Sequence, residues 1–124
     1  MRIVLADREA DLMEVLWDDG PSTVTEVRKR LKVNLAYNTV LSILRTLETK
    51  GYVGHEAEGR AHRYVARVAR EAARHSALRQ LSAKLFKGSV ELLLTSLVSD
   101  KKLSAGEIQR IRALLDKRGQ GDKS

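Results

Sequence analysis

Between Thr23 and Tyr64 two short helical patterns are followed directly by a basic hairpin pattern, and few folds accommodate that order. Thr23-Val24-Thr25-Glu26 matches a capping box, in which a hydroxyl accepts from the third helical N–H and the glutamate turns back to the cap. The helix it opens places Val24, Val27 and Leu31 three and four residues apart, on one face. A short connection, Lys32 to Leu35, leads to a second pattern from about Ala36 to Lys50, which Gly51 ends. At 100° per residue Val40, Leu44 and Leu47 share one side, bordered by Tyr37, Leu41 and Ile43. Asn38, Ser42, Arg45 and Thr49 collect on the other, flanked by Thr39 and Thr46. Tyr52 to Val65 then reads as a β-hairpin. A two-residue turn at Glu58-Gly59 pairs Val53 with Tyr64, His55 with His62 and Ala57 with Arg60, and a longer turn changes those pairings. Helix, turn, helix, hairpin is the outline of a winged helix-turn-helix, a module that presents one helix and one hairpin to duplex DNA.

The flanking segments complete a mainly α chain with a small β-hairpin. A first helix is expected from about Asp7 to Asp18, closed by Gly20-Pro21. From Arg67 onward the pattern is helical again: Ala73, Ala77, Leu81 and Leu85 form one stripe, with Leu78 and Phe86 beside it. Gly88-Ser89 breaks that helix and caps another carrying Val90, Leu92, Leu93, Leu94, Leu97 and Val98, apolar nearly all round. Ser104-Ala105-Gly106-Glu107 is a second capping box, opening a helix with Ile108, Ile111, Leu114 and Leu115 on one face. A polar tail is expected from Arg118 to Ser124. The organisation expected is a winged-helix DNA-binding domain over residues 1–67 and a helical region over 68–124. Two readings of the last helices stand: a small bundle closing the core of a monomer, or a dimerisation arm using Leu81, Leu85, Leu93, Leu97, Ile108, Ile111 and Leu115. Two-fold symmetry is also how helix-turn-helix proteins reach two half-sites, which favours the arm.

Charge is distributed in a way that suits a polyanion. The total is +7, but residues 1–27 carry two basic and seven acidic side chains. Residues 28–63 carry eight and three, residues 64–87 six and one, and residues 88–124 seven and five. The excess therefore begins where the proposed reading segment begins, and phosphate contacts need such local clustering. On the polar helix face Asn suits adenine, Arg suits guanine, and Thr or Ser suits several bases. A solvated surface helix is the simpler meaning of such a stripe. Against it stand the lack of Glu–Lys pairs on that face, its place as the second helix of the motif, and the basic hairpin after it. Arg60 and Arg63 are wing candidates for phosphate or minor-groove contact. Arg67, Arg70 and Arg74 share a helix face and either extend that contact or solvate the start of the arm.

Other chemistries find little support. Cysteine is absent, removing thiolate metal sites, disulfides and cysteine nucleophiles together. His55 and His62 across a hairpin are too few ligands for structural zinc, so no metal or other cofactor is expected. No Gly-x-Ser-x-Gly elbow or Gly-rich phosphate loop occurs, and no enzyme is expected. The apolar run Ile3 to Ala6 is too short for a signal-peptide core, and no stretch approaches membrane-spanning length, which leaves a cytoplasmic location as the expectation.

The ordered set Leu16-Trp17, Gly20-Pro21, Thr23-Val24, Ala36-Tyr37-Asn38-Thr39-Val40-Leu41, Lys50-Gly51 and Glu58-Gly59-Arg60-Ala61-His62-Arg63-Tyr64 resembles the BlaI/MecI/CopY repressors of bacteria. The resemblance continues through Lys87-Gly88-Ser89 and Leu103-Ser104 to Glu107. It implies a homodimeric transcriptional repressor whose winged helices bind an operator palindrome in double-stranded DNA. By position it places Tyr37, Asn38, Thr39, Ser42 and Arg45 on the recognition helix and Arg60 and Arg63 on the wing. Asn38 stands where the family commonly has Thr, and His62 where it often has Tyr. In antibiotic-responsive members a membrane sensor triggers a protease partner to cut an Asn-Phe bond in the arm. Ser96-Leu97 occupies that position here, and the C-terminal cysteines of copper-responsive members are missing. The alternative function is a winged-helix protein-interaction module that docks through its leucine-rich arm without reading DNA sequence.

Overall fold

A computed structural model describes residues 2–100 and 102–121. Its elements are α1 (Asp7–Asp19), α2 (Val24–Arg30), α3 (Tyr37–Thr49), β1 (Val53–Glu58), β2 (Ala61–Ala66), α4 (Arg70–Leu85), α5 (Val90–Asp100) and α6 (Ala105–Gly121). The chain divides into two compact units, Met1–Gln80 and Leu81–Ser124. The first runs past Arg67, where the sequence pattern placed its boundary, because the root of α4 is tied into it. Ala73 and Ser76 are buried, and the Ile3 N–H donates to Ser76 Oγ at 2.7 Å.

The helix starts follow the capping chemistry. Thr23 Oγ1 accepts from the Glu26 N–H at 3.2 Å while the Glu26 carboxylate accepts from the Thr23 N–H at 3.1 Å. Ser104 and Glu107 repeat the reciprocal pair at the start of α6. Glu9 does similar work for α1: its carboxylate accepts from the Ala6 N–H at 2.8 Å and from Lys50 Nζ at 2.7 Å, tying α1 to the end of α3. There Gly51 takes φ of +84°, its N–H donates to the Glu48 carbonyl, and the Tyr52 N–H donates to the Leu47 carbonyl. Those two bonds form a Schellman stop, which turns the chain from α3 straight into the hairpin.

Val40, Leu44 and Leu47 are all fully buried, the face the 100° spacing selects. They meet Leu12, Met13 and Leu16 of α1 and Val24 and Val27 of α2 in one cluster, closed by Tyr52, Val53 and Tyr64 at the base of the hairpin. Ser22 exchanges backbone hydrogen bonds with Tyr64 at 3.0 and 2.8 Å, so the segment before α2 lies along β2 and anchors the wing.

Two expectations need correction, and the inward edge of α4 is a further finding. The hairpin pairs Val53 with Ala66, His55 with Tyr64 and Ala57 with His62, and its turn is Gly59-Arg60, not Glu58-Gly59. Gly59 has φ of +59° while Arg60 does not have positive φ, which suits the turn class with glycine first. Placing Glu58 first would demand a left-handed glutamate in the alternative turn. On α4 the inward edge is Ala73-Ser76, whereas Ala77, Leu81 and Leu85 are exposed. Ser76 and Gln80 turn inward because the backbone of Ile3 offers them partners. Finally, α6 continues through Arg118 to Gly121, so the polar end begins as helix; residues 122–124 lie outside the described residues.

No helix among the described residues is long and apolar enough to cross a membrane.

Candidate nucleic-acid interface

Burying Val40, Leu44 and Leu47 turns the opposite side of α3 outward. Asn38, Thr39, Ser42, Arg45, Thr46 and Thr49 are all exposed, in a continuous polar strip. Their hydroxyls differ in what they have left to offer. Thr46 Oγ1 donates to the Ser42 carbonyl at 3.1 Å and Thr49 Oγ1 to the Arg45 carbonyl at 3.0 Å, so each spends its proton within the helix. They present methyl groups and lone pairs outward. Asn38, Ser42 and Arg45 make no side-chain hydrogen bond among the described residues, which leaves their full donor and acceptor sets facing outward.

The wing returns beside that strip. A groove of about 300 Å³ runs between them, lined by Tyr37, Leu41 and Arg45 from α3, Thr23 and Thr25 from the start of α2, and Arg60, His62 and Tyr64 from the wing. The geometry thus gathers Tyr37, Arg45 and Arg60 around one depression. Asn38, Thr39, Ser42 and Thr49 lie outside it on the open face of α3. Thr25 and His62 are groove residues that sequence reasoning missed. The signal for His62 was available, since it lies two residues before the buried Tyr64 and shares its face of the strand.

The two wing arginines are not equivalent. Arg60, in the turn, is exposed and makes no ion pair among the described residues. Arg63 is held from two directions: its guanidinium pairs with Glu58 across the hairpin and with Glu26 of α2 at 2.9 Å, and donates to the Pro21 carbonyl at 3.2 Å. The Glu58 hydrogen bond, with the charges of Glu26 and Glu58, pushes the Arg63 pKa further up. The Glu26 carboxyl is held below its ordinary value by the Thr23 N–H and hydroxyl first, with Arg63 and Arg30 adding to it. On the face of the wing turned to α3, His55 and His62 stack with ring centroids 4.5 Å apart, and His55 Nδ1 lies 2.5 Å from the Glu48 carboxylate. That contact braces β1 against α3. No group of three or more potential metal ligands occurs among the described residues.

Of the arginines at the start of α4, Arg70 turns to α1, pairing with Glu14 at 2.8 Å and with Asp18. Arg74 pairs with Glu71 at 2.9 Å, one turn back on its own helix.

In the second unit the candidate arm residues Leu81, Leu85, Leu97, Ile108, Ile111 and Leu115 are exposed and Leu93 is half-buried. No described side chain of that unit is fully buried, although α5 carries Leu92, Leu93, Leu94 and Leu97. Ser96-Leu97 lies inside α5.

The model of the penicillinase repressor family matches residues 5–117. The chain belongs to the penicillinase repressor family. Among its relatives are the penicillinase repressor of Bacillus licheniformis, 25% identical over 118 residues covering 90% of this chain and 89% of that one. The methicillin resistance regulatory protein MecI of Mammaliicoccus sciuri is 18% identical over 116 residues, 92% and 94% of the two chains. The transcriptional regulator BlaI of Mycobacterium tuberculosis is 40% identical over 63 residues, 48% of this chain and 46% of that one. Solved structures of transcriptional regulators share the fold. A MarR family protein from Bacillus stearothermophilus superposes with a TM-score of 0.54 at 16% identity, covering 98% of this chain and 78% of its own. MepR, a transcription regulator of the Staphylococcus aureus multidrug efflux pump MepA, gives 0.51 at 18%, covering 94% and 79%. This penicillinase repressor family member is therefore a transcriptional regulator of the winged-helix type.

Proposed function

We propose that this protein is a homodimeric repressor that silences a promoter by occupying a palindromic operator in double-stranded DNA, within the bacterial cytoplasm. The observation that carries the reading is the polar strip of α3. It is exposed along its length, carries Arg45 as its single charge, and lies beside a groove that Arg60 closes from the wing. In this reading Asn38, Ser42 and Arg45 read base edges, Thr39 and Thr49 add methyl or acceptor contacts, and Tyr37 packs at the entrance. Arg60 takes a phosphate, and Arg63 joins it at the cost of its carboxylate partners.

Dimerisation is supported by the second unit. Leu85 is 68% exposed and Leu114 67%. Each such side chain gains about 1.5–3 kcal/mol on full burial, so a unit with no fully buried side chain among the described residues is stabilised chiefly by a partner. A second copy supplies matching faces through Leu81, Leu85, Leu93, Leu97, Ile108, Ile111 and Leu115, and gives the two-fold symmetry of a palindrome. Residues 1–67 with the root of α4 then act as the reading head, and residues beyond it as the arm.

Selection of bound fragments from genomic DNA, followed by salt-titrated binding, tests the reading. A recurring inverted repeat is expected, and Asn38→Ala is expected to relax the base preference at one position of each half-site. Binding without sequence preference would favour a protein-docking role for the exposed arm, and an unchanged preference in Asn38→Ala would move the reading face elsewhere on α3.

A further inference from the structure

Among the residues that line the groove between α3 and the wing, His62 alone is of the type that changes charge between pH 5 and 8. It shares the groove with Arg45 and Arg60 and, like them, makes no ion pair among the described residues. His62 is exposed, and its ring stacks on that of His55 with centroids 4.5 Å apart and planes 17° from parallel. The stack runs diagonally across the hairpin, since His62 pairs with Ala57 and His55 with Tyr64.

The charges around this stack are unevenly placed. From α3, Glu48 turns its carboxylate to His55 Nδ1 at 2.5 Å, and that nitrogen donates, because a carboxylate only accepts. Tyr37 and Arg45 of α3 and Arg60 and Tyr64 of the wing stand on the groove side, and the start of α2 adds only the uncharged Thr23 and Thr25. Glu56 and Glu58 fall on the other face of the hairpin, paired across it with Arg63 and Ala61, and Glu58 is held by Arg63. Among the described residues, then, the one carboxylate hydrogen-bonded to the stack is spent on His55. A proton on His62 needs an anion from outside, and a DNA phosphate in the groove supplies one through a charge-assisted hydrogen bond. Packing alone does not call for a second histidine. A phenylalanine would stack on His55 and suit a strand equally well; what the imidazole adds is a charge.

We infer that His62 is a further phosphate contact on the wing, one that binds as imidazolium, so that each reading head takes up a proton with the operator and holds it less tightly as pH rises. His55, fixed by Glu48, positions the ring. The inference rests on the operator-binding reading above.

The test uses the full chain and the selected operator, with affinities measured by fluorescence anisotropy at pH 6 and pH 8 in one salt concentration. Each proton taken up on binding changes affinity by up to about tenfold per pH unit, and a dimer carries two such sites. Wild type is expected to bind at least about tenfold more tightly at pH 6 than at pH 8. His62→Phe, which keeps the stack, is expected to bind about equally at both values, within about threefold of wild type at pH 8, and with the same base preference. His62→Lys, a cation at both values, is expected to bind about equally at both and more tightly than wild type at pH 8; it carries the test should His62→Phe not fold. Sequence-specific wild-type binding of equal strength at pH 6 and pH 8 overturns this inference alone. So does wild-type pH dependence that persists in His62→Phe, or in His62→Lys when only it folds. An altered base preference in His62→Phe also overturns it, by moving His62 from phosphate to a base edge. Wild-type binding without sequence preference at both values overturns the operator reading itself, and this inference with it.

Discussion

Replacing the two wing arginines one at a time should separate a free cation from a neutralised one, although the sequence treats them alike. Each phosphate neutralised by protein contributes about 0.9 to the slope of log affinity against log salt, because its condensed counterions are released. Arg60 makes no ion pair among the described residues, and a dimer carries it twice. Arg60→Ala should therefore make the slope shallower by about 1.8. Over a fourfold rise in salt, about 50 to 200 mM, the wild-type advantage over that variant should shrink by a factor of about 12. Arg63 starts from a different state, bound to Glu26 at 2.9 Å and to Glu58. Presenting it to a phosphate frees two carboxylates, which gather cations of their own, so little net counterion is released. Arg63→Ala should change the slope by less than about 0.5. Glu58→Gln, which strips one carboxylate, should steepen it. Fluorescence anisotropy of a labelled operator across a salt series measures all four proteins. Equal slope changes for Arg60→Ala and Arg63→Ala would refute the reasoning, because the ion pairs of Arg63 would then carry no weight against DNA.

Stability and assembly give three further tests. Leu44 is fully buried between α3 and the α1–α2 face, so Leu44→Ala should cost about 2–5 kcal/mol in urea unfolding followed by circular dichroism. Acid should destabilise the reading head. The Glu26 carboxyl is held low by the Thr23 N–H and hydroxyl, and that of Glu9 is held low because Lys50 and the Ala6 N–H outweigh the opposing effect of burial. A carboxyl depressed on folding stabilises fully above its unfolded pKa of about 4.3 and loses that contribution as pH falls through the lower folded value. The melting temperature should accordingly be level above about pH 5 and fall below about pH 4, less steeply in Glu26→Gln. Leu97→Asp places a charge on the exposed face of α5 and should shift the sedimentation coefficient to that of a monomer, with operator affinity falling to the half-site value; an unchanged coefficient would remove Leu97 from the interface.

What the sequence disclosed was local in its physics. The Thr23-Glu26 and Ser104-Glu107 caps, the Val40-Leu44-Leu47 core face and the stop at Gly51 each depend on residues within a turn or two, and each was legible. The hairpin register was not. Moving the turn from Glu58-Gly59 to Gly59-Arg60 shifts the pairing by two, which leaves every side chain on the same face, so hydrophobic alternation is blind to the change. Only the demand for positive φ at the first turn residue separates the two registers. The inward edge of α4 was hidden for a different reason. Ala73 and Ala77 look equivalent on a helical wheel, and Ser76 is preferred because Ile3, 73 residues away, docks its backbone there. The state of Arg63 was equally remote, since Glu26 lies 37 residues before it.

The same long-range pairing changes the meaning of the charge distribution. Counted by segment, the acidic start of the chain and the basic stretch after the hairpin look like separate regions. In the fold part of that charge is neutralised: Arg70, after the hairpin, takes Glu14 and Asp18, and before it Lys50 takes Glu9 and Arg30 lies within 4 Å of Asp19 and Glu26. Arg70, and Arg74 through its pair with Glu71, therefore contribute less to a DNA-facing field than a count of the basic residues of 64–87 suggests. Of the basic residues that line the groove beside the polar strip, Arg45 on α3 and Arg60 on the wing make no ion pair among the described residues. These two cations, on either side of one groove, orient a phosphate backbone without swamping base selection by non-specific attraction. The acidic first helix, on this account, has a positive use: its Glu14 and Asp18 carboxylates hold Arg70, which would otherwise add undirected charge.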